Sequence, residues 1–77
     1  MKEQQYFYNL RMAEKMKGKT IDIIIQIEEL KFQMTYPGSD KELNELYLAK
    51  KEIELKIQQY ELSRFCKQVN LDEKDVL

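Results

Sequence analysis

The chain has 77 residues, 35% of them charged, with 13 basic against 14 acidic side chains and a formal net charge of −1. A chain of that length holds one small domain, whose core is marginal without a staple, a metal, unusually good packing or a second chain. The single cysteine, Cys66, and the lack of histidine exclude an internal disulfide and leave the common Cys/His metal frameworks without ligands, while the balanced charge is unlike that of a general DNA binder.

The chain opens on Met1-Lys2-Glu3-Gln4-Gln5, which is polar and is followed by no apolar core, so no secretory signal is expected. Tyr6, Phe7 and Tyr8 then cluster beside Leu10 and Arg11. Residues 1–19 carry Lys2, Arg11, Lys15, Lys17 and Lys19 against Glu3 and Glu14, a local excess of three positive charges in a chain that is otherwise acidic. A basic end of this kind reads first as a solvated helix face. Its aromatics and Arg11 belong to the residue types favoured at protein interfaces, and aromatics beside cations can also stack on single-stranded nucleic acid.

The first helix is expected over about residues 3–35. Ala13, Met16, Thr20, Ile23, Ile27, Leu30 and Met34 follow alternating steps of three and four, and Tyr6 extends the row backwards by one further heptad. A strand over 20–27 would satisfy the β-branched residues there. It fails on pattern, because Ile23, Ile24 and Ile25 would point to both faces of a sheet. Gly18 lies inside the run and marks where a kink, or a break into three helices, would fall. The row keeps its phase across Gly18, which favours one long helix.

Tyr36-Pro37-Gly38-Ser39 is the one turn. Pro37 forces Tyr36 out of helical geometry, and Ser39-Asp40-Lys41-Glu42 has the form of a capping box in which Ser39 accepts from the Glu42 amide. The second helix is expected over about 40–69. Leu43, Leu46, Ile53, Ile57 and Tyr60 read as its seam, with Lys50 and Arg64 occupying places in the same row and their charges snorkelling at an edge. Residues 70–77 form a short tail. Asn70 to Glu73 offers a cap for one further turn, and Leu71, Val76 and Leu77 offer apolar contacts for docking it on the helices, while a frayed end suits the same residues equally well.

Each helix carries apolar residues beyond its seam. Leu48, Leu55, Leu62 and Val69 recur every seven residues, about 200° around the helix from Leu46, Ile53 and Tyr60. Phe65 and Cys66 add to that side. Ile21, Ile25 and Phe32 lie off the seam of the first helix. A two-helix hairpin buries one stripe per helix, so these second faces are expected to meet another chain. The expected architecture is an all-α antiparallel hairpin, a single domain over 1–77, assembling as a homodimeric four-helix bundle. Ile21, Ile25, Phe32, Leu48, Leu55, Leu62 and Val69 are assigned to the oligomer interface.

The remaining polar residues have ordinary explanations. Glu28, Glu29, Glu42, Glu45, Glu52 and Glu54 fall mostly on polar arcs, where helix-spaced partners such as Glu52 and Lys56 suit a solvated face. Cys66 lacks a histidine to activate it and reads as a small apolar group. Met12 and Met16 read as gap-filling core residues. Two isolated glycines cannot build a phosphate loop, and no apolar run approaches the length of a membrane span. No enzyme activity, metal or cofactor is therefore expected, and the single thiol suits a reducing, cytoplasmic setting.

In size, Pro-Gly turn and paired amphipathic helices the chain resembles the small helical-hairpin co-chaperones and adaptors of secretion and phage-type assemblies. The resemblance implies a protein-binding role and carries no site residues with it. The expected function is a non-enzymatic adaptor, co-chaperone or inhibitor that self-associates and binds a helical protein partner through Tyr6, Phe7, Tyr8 and Arg11. The alternative is a small nucleic-acid-associated regulator using the basic aromatic N-terminal segment.

Overall fold

The computed structural model of the chain describes residues 2–76. Helix α1 spans Lys2–Gln33 and helix α2 spans Lys41–Gln68, packed antiparallel, and a 3-10 turn at Glu73–Asp75 follows. The molecule is a rod of 58 × 16 × 15 Å with a radius of gyration of 16.4 Å. A compact domain of this length would have a radius of about 11–12 Å. The all-α hairpin is thus as expected, with helix ends within two residues of the sequence reading. Leu77 lies outside the described residues.

Helix α1 runs unbroken through Gly18. The row of Ala13, Thr20 and Ile27 is buried, and Met16, Ile23, Leu30 and Met34 are half-buried, so the first seam faces inward as its spacing predicts. Thr20 satisfies its buried hydroxyl by donating to the Met16 carbonyl one turn back, at 3.2 Å. The helix ends as its last carbonyls find new donors: the amide and hydroxyl of Thr35 both reach the Phe32 carbonyl, at 3.1 and 2.7 Å.

The connection is built around Pro37 and Gly38. The Ser39 amide donates to the Tyr36 carbonyl at 3.3 Å, and Gly38 sits at φ +88°. Proline second and a positive-φ glycine third are the residues a type II turn demands.

The cap of α2 differs from the sequence reading by one residue. Asp40, at φ −76° and ψ 95°, is the N-cap, and its Oδ1 accepts from the Leu43 amide at 3.1 Å. Ser39 does not form the expected box with Glu42. Its backbone closes the preceding turn, and its buried Oγ has no protein partner. The extended backbone that an N-cap needs arises one position later, where a carboxylate also meets the positive end of the helix.

The larger correction concerns which face of α2 turns inward. Leu43, Leu46, Ile53, Ile57 and Tyr60, read as the seam, are all exposed. The inward row is Leu48, Lys51, Leu55, Gln58, Leu62, Phe65 and Val69, with Asn44 at its start. These positions also follow steps of three and four. Polar residues at Asn44, Lys51 and Gln58, seven apart, lower its apolar content and hide it from a hydrophobicity count. Lys51 meets Glu54 at 3.3 Å beside the seam, with both side chains about a third exposed (32% and 38%).

The best-packed part of the hairpin is its open end. Ala13, Leu62, Cys66, Leu71 and Val76 form the buried cluster, with Leu10, Met16, Phe65 and Val69 packed around it. The tail is part of this core. Asn70 adopts φ +58°, the Leu71 amide donates to the Cys66 carbonyl at 2.8 Å, and the Asn70 amide donates to the Lys67 carbonyl at 3.4 Å. This pair of bonds is a Schellman motif, and burial of Leu71 in the same cluster as Cys66 supplies its customary apolar contact. Asn70 therefore ends α2 instead of capping a further turn. Asp72 does the capping, its Oδ1 accepting from the Lys74 amide at 3.0 Å.

Candidate protein-binding surface

Helix geometry places the two rows of α2 on nearly opposite sides. At 100° per residue the centre of the Leu43–Tyr60 row lies roughly 150° from the centre of the inward row. The outward row therefore projects away from α1 along the back of the hairpin. Leu46, Ile53 and Tyr60 are 65%, 60% and 66% exposed. No residue of α1 can cover this row, because α1 lies on the other side of α2.

Helix α1 contributes a second exposed set. Ile21, Ile25 and Phe32 are exposed, as is Ile24. Ile21, Ile25 and Phe32 lie roughly 150° around α1 from the centre of its seam, with Ile24 on the flank between, and the Phe32 ring meets Tyr36 edge-on at a centroid separation of 5.3 Å. Near the N-terminus Tyr6, Phe7, Tyr8 and Arg11 are all exposed, with the Tyr6 and Phe7 rings edge to face at 5.5 Å. Of the neighbouring cations, Lys15 and Lys19 are exposed, whereas Lys17 is half-buried and donates to the Val76 carbonyl.

The residues assigned from sequence to one oligomer face are thus divided. Ile21, Ile25 and Phe32 look outward on α1. Leu62 is buried in the cluster that holds Ala13, Val69 packs against that cluster, and Leu48 and Leu55 are half-buried on the same side of α2. These four line the contact between the two helices of one chain. The outward apolar residues of α2 are instead Leu43, Leu46, Ile53, Ile57 and Tyr60. A count of all three-and-four rows, polar members included, would have exposed the ambiguity, since α2 carries two such rows.

The surface is large for the chain. A compact monomer of this mass exposes about 5,000 Å², whereas the hairpin exposes 6379 Å². A hollow of about 410 Å³ lined by Tyr60, Ser63, Arg64, Lys67 and Gln68 continues the outward row of α2 toward its basic end. A smaller groove runs between the helices near the turn, lined by Gln26, Glu29, Leu30, Gln33, Tyr47 and Lys51.

Cys66 sits beneath the tail as a free, buried thiol. Burial, and after it the Glu73 and Asp72 carboxylates, push its pKa above the ordinary thiol value. It is therefore protonated at neutral pH, which suits a packing role. Among the described residues, no group of three or more His, Cys, Asp or Glu is placed to hold a metal ion. No described helix is long and apolar enough to cross a membrane.

No protein-family model, curated protein or solved structure matches the chain. The reading of its role rests on its own surface.

Proposed function

We propose that the protein is a non-enzymatic protein-binding module of adaptor, co-chaperone or inhibitor type, working in a reducing compartment such as the cytoplasm. It self-associates through apolar helix faces that its own fold leaves uncovered, and it engages a helical protein partner through the aromatic end of α1. The observation that carries this reading is the pair of exposed apolar sets on helices already packed against each other: Leu43, Leu46, Ile53, Ile57 and Tyr60 on α2, and Ile21, Ile25 and Phe32 on α1. Large apolar side chains left open in rows on both helices are rare on a soluble monomer and mark sites of association.

The contact residues on the partner side are Tyr6, Phe7, Tyr8 and Arg11, which are exposed on consecutive turns. Tyrosine, phenylalanine and arginine supply large contact area and are enriched at interfaces. The assembled form is a four-helix arrangement of two hairpins.

The test combines the mass of the purified chain by light scattering with capture from the native cell, using the wild type and a Phe7→Asp/Tyr8→Asp variant. The expected result is a mass at least double the 9.4 kDa of one chain, and a captured protein that the variant loses while keeping that mass. A wild-type chain that remains at 9.4 kDa and captures nothing overturns the reading.

A further inference from the structure

We infer that the outward row of α2 docks on the same row of a second copy, antiparallel about a two-fold axis that crosses α2 between residues 51 and 52. This rests on the self-association proposed above and gives it a geometry. Leu43, Leu46, Lys50, Ile53, Ile57 and Tyr60 follow steps of three, four, three, four and three, which is the spacing of a complete interhelical seam. All six are exposed, and no part of their own chain can reach them.

The row is complementary to itself in one direction. With residue i of one copy set against residue 103 − i of the other, Leu46 meets Ile57 and Leu43 meets Tyr60. Ile53 meets the aliphatic stem of Lys50, whose ammonium reaches the edge. Every large apolar side chain of the row then has an apolar partner, and the symmetry makes each contact twice.

Charge selects the same direction. The N-terminal end of α2 carries exposed Asp40, Glu42 and Glu45 against Lys41, and its C-terminal end carries exposed Arg64 and Lys67 against Glu61. In the antiparallel register Arg64 of one copy lies opposite Ser39 and next to Asp40 of the other, while Glu42 lies opposite Glu61, and the two helix dipoles oppose each other. Parallel pairing would place like beside like.

Area also fits. The hairpin exposes 6379 Å², about 1,400 Å² beyond a compact chain of its mass. A standard interface takes about 800 Å² from each partner, so the pairing can be supplied from the excess.

The resulting dimer differs from a square four-helix bundle. Because the outward row of α2 points away from α1, the helices fall in the order α1, α2, α2, α1 across a slab. Both copies of α1 lie at the outer edges, and Ile21, Ile25 and Phe32 stay free for a different protein.

The experiment measures mass by light scattering for the wild type and for Ile53→Glu/Ile57→Glu. Beside it, nitroxide labels at position 67 are placed on a Cys66→Ser background and their separation is measured by pulsed electron resonance. The expected results are a doubled mass for the wild type, the mass of one chain for the double variant, and a label separation of about 45 Å along the helix axis. A wild type that is monomeric at about 100 μM, where a micromolar interface would be saturated, overturns both the self-association and this pairing. A doubled mass in the double variant overturns the α2 pairing alone, as does a label separation under about 25 Å, the value expected of parallel neighbours. Should the double variant lose its helicity, the label separation decides between the same two outcomes, since it leaves the row intact.

Discussion

The Lys17 ammonium donates to the Val76 carbonyl at 2.9 Å, joining two residues 59 positions apart. The bond pins the tail across the open end of the hairpin, where Leu71 and Val76 complete the cluster around Ala13, Leu62 and Cys66. Seen this way the tail is a structural member of the core.

If that is so, Val76→Asp should lower stability by about 2–3 kcal/mol, combining lost burial with a carboxylate facing an apolar site. Thermal melts report the loss, at about 4–8 °C per kcal/mol for a chain of this size. The same variant should speed reaction of Cys66 with a thiol reagent by at least about tenfold, the factor expected when opening becomes easier by 1.4 kcal/mol. An unchanged rate would mean that the tail does not cover the thiol. The pH dependence has a definite sign. The folded pKa of Cys66 lies above its unfolded value, chiefly through burial and then through Glu73 and Asp72. Its contribution to stability is therefore complete below the ordinary thiol value of about 8.5 and is lost as pH rises through the higher folded value. Cys66→Ala should flatten the decline over that alkaline window.

Ser39 and Asp40 give a second, sharper contrast. Asp40→Ala removes the bond to the Leu43 amide and should cost about 1 kcal/mol. Ser39→Ala should cost little or nothing, because its Oγ is buried without a protein partner. Chemical denaturation of the two single variants separates these outcomes. The reverse ranking would restore the capping box centred on Ser39.

Gly18 offers a stabilising change. It lies within an unbroken α1, and a Cβ added there would meet nothing within 4 Å. Gly18→Ala should raise stability by about 0.5–1 kcal/mol through the lower entropy cost of fixing the backbone. A fall in the melting temperature would show that the protein uses a bend at this position.

These residues also show how far the sequence reaches. The inward row of α1 was legible because Thr20 is its only polar member, and the turn because Pro37 and Gly38 are the residues its backbone requires. The inward row of α2 was not. Asn44, Lys51 and Gln58 dilute it, and Leu46, Ile53 and Tyr60 make the opposite row more apolar. Hydrophobicity marks a face for burial without saying whether the covering surface is tethered or comes from another chain. The candidate site inherited that ambiguity: Ile21, Ile25 and Phe32 were placed outward by sequence and are outward, whereas Leu48, Leu55, Leu62 and Val69 belong to the intrachain contact. The capping shifts are smaller versions of the same limit. Ser39 and Asn70 have suitable side chains, but the local backbone gives those duties to Asp40 and Asp72.

The position of the buried cluster has a kinetic consequence. The turn brings α1 and α2 together over a short loop, and zipping from there is entropically cheap. Yet the half nearest the turn has little sealed core, while the cluster that fixes the structure unites position 13 with position 76. The contacts quickest to form are therefore not those that hold the molecule closed. Most of its cohesion arrives only when nearly the whole chain has looped back on itself.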